Sequence, residues 1–169
     1  RQDLEKVGSR FENILRIAVY MKSREIWDPV REVRQKVFVP QETRPASASI
    51  FVADFRPEDA LIEIEAIAMV RSKIVPKRGV EFDPPRPYLK ALISERFAFV
   101  SGAGREGQNE EAQTESSLNT LRAHLEEVGG SFHDLSRVTI YLRRPEALGE
   151  VNRVFQRLFN KPRPYLEFI

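Results

Sequence analysis

The sequence predicts an α+β fold of two layers, with helices on one face of a mixed sheet, and it predicts that fold twice in tandem. Three observations carry this. Segments rich in branched apolar residues alternate with segments whose apolar residues fall at helical spacing. Each helical segment has a single apolar face, which has to be buried against a sheet. Finally, Leu4–Phe38 recurs without a gap, 121 positions later, as Leu125–Phe159: Leu4, Glu5, Val7, Gly8, Phe11, Arg16, Tyr20, Val30, Val33 and Phe38 reappear as Leu125, Glu126, Val128, Gly129, Phe132, Arg137, Tyr141, Val151, Val154 and Phe159. A repeat at that spacing reads as two copies of one module. We assign residues 1–75 to the C-terminal part of a first module and residues 76–169 to the N-terminal part of a second.

Taken in order, Leu4–Val7 read as the last turns of a helix closed by Gly8. Asn13–Met21 reads as a strand. Ile26, Trp27, Val30, Val33 and Val37 mark a one-faced helix that starts near Asp28, since Pro29 fits only a first turn. Ala48–Asp54 reads as a strand. In the strand Ala60–Val70, the residues Ile62, Ile64, Ala66, Ala68 and Val70 share one face, while Glu63 and Glu65 share the other with Leu61, Ile67 and Met69. A carboxylate there reads first as a solvated or paired side chain. A sheet face that is apolar apart from a few acids is also a face for a partner.

Ser72–Pro87, with five prolines and glycines among charges, is the junction between copies. Arg96–Ser101 is a short strand and Gly102–Asn109 a loop without the lysine of a phosphate loop. A helix with Leu118, Leu121 and Leu125 on its core face runs from Asn109 or Glu110 to Val128. Then come a strand at Leu135–Leu142, a helix at Glu146–Phe159 and the beginning of a strand at Tyr165.

Composition excludes several classes of function. The 169 residues hold no cysteine, hence no disulfide, thiolate metal site or cysteine nucleophile, and the chain fits a cytoplasmic location. The net charge of +2 is spread over both copies, without the concentrated basic face of a nucleic-acid binder. No apolar run has the length of a membrane span. His124 and His133 read as an edge and a turn residue rather than metal ligands. Ser101 lacks a histidine–acid partner in recognisable spacing. Trp27 reads as core or interface, and Arg31, Arg34, Arg153 and Arg157 as solvated helix faces.

The segments PYLKAL (Pro87–Leu92), FAFVSG (Phe97–Gly102), EEAQTESSLNTLRAHLEEVG (Glu110–Gly129), VTIYL (Val138–Leu142), EVNRVFQRLF (Glu150–Phe159) and IEIEAIA (Ile62–Ala68) together resemble the Rid family, the YjgF-type reactive intermediate enamine/imine deaminases. The resemblance covers nearly the whole chain. It implies chorismate-mutase-like domains assembled as trimers, or multiples of three modules, with ligand sites in the clefts between neighbours. It implies hydrolysis of 2-aminoacrylate-type enamines and imines to 2-oxo acids and ammonia, with no metal and no organic cofactor. Glu63 matches the glutamate that activates water, and Tyr88 and Asn152 match pocket residues. The family's carboxylate-binding arginine falls at Ser47, so Arg44 and Arg163 are the nearest substitutes. Three readings follow: a deaminase with composite sites, a Rid-fold protein that holds small carboxylates without turnover or acts as a scaffold, or a piece of a larger enzyme with tandem Rid-like domains. Eukaryotic diphthine–ammonia ligases resemble the third, although no nucleotide motif is present here.

Overall fold

The computed structural model describes residues 2–56, 58–159 and 163–169. They form two compact units, the first ending at Gly102 and the second running Ala103–Ile169.

The first unit holds α1 (Gln2–Lys6), β1 (Ile14–Met21), α2 (Trp27–Val37), β2 (Ala46–Phe51), β3 (Ile62–Ala68), β4 (Arg78–Val80), β5 (Ala91–Ser94) and β6 (Phe97–Val100). Its main sheet has the order β2-β1-β3, with β2 parallel and β3 antiparallel to β1. Ile17, Val19 and Met21 of β1 point to the helix side and pack with Phe38, Trp27 and Val30. Leu15, on the opposite face, packs with Ala46, Val75, Leu89 and Leu92. β4, β5 and β6 form an antiparallel meander. Buried Asn13 ties the chain after β3 to β1: its amide donates to the carbonyls of Arg71 (2.9 Å) and Lys73 (3.0 Å), and its oxygen accepts from Val75 N–H (2.9 Å).

The second unit holds α3 (Glu110–Glu127), β7 (Arg137–Ile140), α4 (Leu148–Leu158) and β8 (Tyr165–Phe168), with β7 and β8 parallel. Its core is Leu118, Phe132, Val138, Val151, Val154, Phe155 and Phe159. Arg153 and Arg157 of α4 reach Glu111 (2.7 Å) and Glu115 (2.9 Å) of α3. Among the described residues no helix is long and apolar enough to cross a membrane.

The repeat is geometric as well as textual. Gly8 (φ 73°) and Gly129 (φ 84°) both turn the chain out of a helix in the left-handed region that glycine tolerates. Gly8 N–H donates to Glu5 and Ser9 N–H to Leu4, and the same pair of bonds runs from Gly129 to Glu126 and from Gly130 to Leu125. Short 3₁₀ turns at Phe11–Asn13 and Arg24–Ile26 recur at Phe132–Asp134 and Pro145–Ala147, and α2 recurs residue for residue as α4.

Several elements differ from the sequence expectation, among them β5, since Ala91–Ser94 is assigned to no strand by the sequence. The strand expected at Ala48–Asp54 runs Ala46–Phe51, because it starts directly after Pro45, whose carbonyl accepts Leu89 N–H (3.0 Å). The Pro-rich junction contains β4, which pairs with β5 through Arg78, Gly79 and Val80. The packing boundary at Gly102 also lies downstream of the module boundary expected at 75/76, so β4–β6 pack with the first unit.

Candidate functional site

Of the residues singled out by the sequence, Ser47, Ser101 and Tyr88 lie where β2 meets the stretch before β5. Ser47 is buried near the start of β2. Its N–H donates to Ser101 Oγ (2.7 Å), its carbonyl accepts Gly102 N–H (2.9 Å), and Ser101 Oγ donates to the carbonyl of Leu89 (2.6 Å). Ser101 is therefore a buried strut between strands rather than an exposed nucleophile. Gly102 permits this approach: a Cβ there would lie 3.1 Å from Ala48 Cβ.

Tyr88 is half-buried just after Pro87. Its ring meets Phe82 edge-on (5.4 Å between centroids), and its hydroxyl accepts from Arg86 Nη1 (3.2 Å). Over the Tyr88 ring lies the guanidinium of Arg34, 4.9 Å from the centroid. Arg34 is only 7% exposed, which corrects the reading of it as a solvated helix residue. From α2 it reaches down to β2, where Nη2 donates to Ser47 Oγ (2.7 Å) and Nη1 to Ser49 Oγ (3.2 Å). Its buried Nε has no hydrogen-bond partner. Burial pushes the guanidinium pKa below its ordinary value, and Tyr88 opposes that shift. Arg31, Arg153 and Arg157, read the same way, are exposed.

Arg44 is half-buried and engaged. It forms an ion pair with Glu81, and donates from Nε to the Phe38 carbonyl (3.2 Å) and from Nη2 to the Val39 carbonyl (3.0 Å). It borders a pocket of about 100 Å³ with Gln35, Phe38, Pro85, Arg86 and Pro87. A broad open depression along α3 contains none of the residues singled out here.

Glu63 is exposed on β3 and sits across from Tyr20 of β1. Glu65, across from Ala18, accepts a hydrogen bond from the Tyr20 hydroxyl (3.2 Å). Ser47 pairs with Ile17, which faces α2, so alternation along β1 places Glu63 and Ser47 on opposite faces of the sheet. Tyr88, Ser47 and Arg34 are thus brought together, and Glu63 is not among them. In the second unit, Asn152 is half-buried on α4 and Arg163 exposed ahead of β8. Strand pairing settles the register of Arg163. Arg16 pairs with Ala46 and its repeat counterpart Arg137 with Tyr165, so Arg163 stands where Arg44 stands in the first copy, after a connection two residues shorter.

Arg34 escaped the sequence reading, although a signal existed. It lies four residues after Val30, beside the apolar stripe, and its repeat partner is Phe155, a core residue. Among the described residues no cluster of three or more histidines, aspartates or glutamates is arranged to hold a metal.

Comparison with known proteins agrees with this architecture. The family model described as Endoribonuclease L-PSP matches twice, at residues 1–70 and 79–167. A RutC family protein of Pyrococcus abyssi is 31% identical over 90 residues, covering 48% of this chain and 70% of its own length. A RutC family protein of Drosophila melanogaster is 31% identical over 91 residues, covering 48% and 64%. Among solved structures, a member of the YjgF/YER057c/UK114 family from Mycobacterium tuberculosis is 25% identical with a TM-score of 0.51, covering 55% of this chain and 82% of that one. A chorismatase, 16% identical, shares the fold over 99% of this chain and 61% of its own with a TM-score of 0.68.

Proposed function

The chain belongs to the Endoribonuclease L-PSP family, the Rid/YjgF group, and on that premise we propose that it takes up small carboxylate-bearing enamines or imines of the 2-aminoacrylate type and hydrolyses them to 2-oxo acids. The observation that carries this reading is the gathering of Tyr88, Ser47 and a buried guanidinium at one end of β2. In the reaction the enamine tautomerises to the imine, water adds to the C=N carbon, and the carbinolamine collapses to a carbonyl and ammonia. Glu63 is the proposed base for the water. Because it lies on the other face of its own sheet, the site it completes belongs to another copy of the chain. Sites shared between copies require self-association, read as three modules or a multiple of three around an axis. Asn152 and Arg163 are read as second-copy contributions, with the sequence modules meeting at 75/76.

A second reading, a binder without turnover, is favoured by Ser47 standing where the family's arginine is expected. One assay separates them. With 2-aminoacrylate generated in a coupled reaction, the first reading expects turnover that Glu63→Gln lowers by about two to four orders of magnitude, and a sedimenting species larger than one chain. No turnover by a folded, self-associated protein leaves the binder; a stable monomer at micromolar concentration removes the shared site.

A further inference from the structure

We infer that Arg34 is the residue that grips the carboxylate of the small ligand, taking over from α2 the role for which strand β2 offers only Ser47. The inference rests on the reading of the site just given and names the group that holds the ligand there.

Four observations lead to it. Arg34 carries a buried charge with neutral company. Its partners are two serine hydroxyls and the face of a phenol ring, and among the described residues no carboxylate forms an ion pair with it. A buried cation without a counter-charge is costly, and natural proteins keep one where something requires it. Asn13, more deeply buried in the same unit, has its amide nitrogen and oxygen both bonded, so the unpaired Nε of Arg34 is not the general habit of this interior.

The fold itself does not require the guanidinium. The second copy builds the same helix–strand unit with Phe155, Leu166 and Phe168 where the first has Arg34, Ser47 and Ser49. Apolar side chains stand there in place of buried Arg34 and Ser47 and exposed Ser49, so the frame forms without the guanidinium.

The donors left over on Arg34 suit a carboxylate partner in number and charge. A guanidinium binds a carboxylate with two parallel N–H···O bonds, one arrangement using the edge made by Nε and a neighbouring Nη. In Arg34 the bonds to the serines take one hydrogen from each Nη, leaving the Nε hydrogen and one on each Nη. The half-buried Tyr88 covers the guanidinium and has to shift for a ligand to reach it.

A small pocket lies close in sequence, lined by neighbours of Arg34 and Tyr88 and not by those two residues. Gln35, next to Arg34, and Pro87, next to Tyr88, line the pocket of about 100 Å³. That is the scale of a small acid rather than of a nucleotide or peptide. Arg44 in its wall is already neutralised by Glu81.

The test is calorimetric, on the full chain, with pyruvate as probe and pyruvamide as its uncharged match. The unmutated protein should bind pyruvate in preference to the amide. Arg34→Met should weaken pyruvate binding about tenfold or more, as loss of a charge-assisted pair does, and abolish the preference for the acid. Arg34→Lys should retain the preference and part of the affinity. The apolar counterpart in the second copy leads us to expect a folded Arg34→Met, checked by circular dichroism. Should it fail to fold, the acid–amide preference is read on Arg34→Lys against Arg34→Gln, and equal preference in the two overturns the inference. If the unmutated chain binds pyruvate and Arg34→Met binds it equally well with the same preference, the inference falls and the proposed function stands. If the unmutated chain binds neither probe, both fall.

Discussion

The two helix–strand units, α2 with β2 and α4 with β8, share a backbone plan and differ in what fills it. In the second, Val154 is fully buried and its neighbour Phe155 packs with Leu166 and Phe168. In the first, the counterpart of Val154 is Val33, 59% exposed, and the counterpart of Phe155 is the buried Arg34. Around Val154, α3 brings Leu118 and Leu121 into the core. The second difference is chemical. One frame tolerates either an apolar trio or a guanidinium with two hydroxyls, so its shape is set by the capping turns and strand pairing that both copies share. The interior can then be varied without moving the backbone.

That comparison can be broken most sharply by exchanging the interiors. Phe155→Arg alone should destabilise the second unit by about 3–5 kcal/mol, the cost of an uncompensated buried charge. Adding Leu166→Ser and Phe168→Ser should recover part of the loss, because it restores the hydroxyl partners of the first copy. In the opposite direction, Arg34→Met should leave stability unchanged or raise it by about 1–4 kcal/mol. Urea unfolding followed by circular dichroism reads all of these. A Phe155→Arg chain as stable as the parent would show that the two frames are not equivalent.

A smaller effect sharpens the difference in cover. Val154→Ala should cost about 2 kcal/mol, from lost burial and the cavity left behind. Val33→Ala should fall within about 0.5 kcal/mol of the parent, as surface changes do. Equal effects would mean that the Val33 face is covered in solution.

The smallest effect separates the units by pH. Lys77, half-buried in the first unit, donates to the carbonyls of Ile14 (2.7 Å) and Thr43 (3.4 Å), and burial pushes its pKa down to about 8 from an ordinary 10.5, with Glu12 opposing. Between these two values the unfolded chain holds a proton that the folded chain has released, so stability should rise as pH rises through that window. Solvent screening limits the gain to roughly 1 kcal/mol. A flat profile in the parent, or the same rise in Lys77→Met, would assign the effect elsewhere.

Much of this architecture was legible in the residues, for reasons tied to particular positions. Gly8 and Gly129 announced the helix ends, and apolar spacing announced α2 and α4. Alternation placed Glu63 and Glu65 on one face of β3. Other features needed the third dimension. β4 hides in a Pro-rich stretch because three residues carry no periodic signal. The equivalence of Arg163 and Arg44 is masked by a connection two residues shorter in the second copy, and only strand pairing reveals it. Arg34 was misjudged because a charge at the margin of an apolar stripe reads as solvated unless the repeat is consulted, where Phe155 occupies the position. The register that puts Glu63 and Ser47 on opposite faces depends on β1, β2 and β3 pairing as they do, which local sequence does not specify.

β3 has a consequence for handling the protein in the test tube. It pairs with β1 on one side only within its sheet, and Ile62, Ile64 and Ile67 along it are all exposed, Ile64 by 61%. A row of unsatisfied backbone groups beside exposed isoleucines is a template for strand stacking, and charged side chains on such a strand are what keep it in solution. Glu63 and Glu65 are those charges, exposed on the same strand. A Glu63→Gln sample should therefore scatter light at a lower concentration than the parent, and a rate measured on it belongs to the fraction that remains clear after centrifugation.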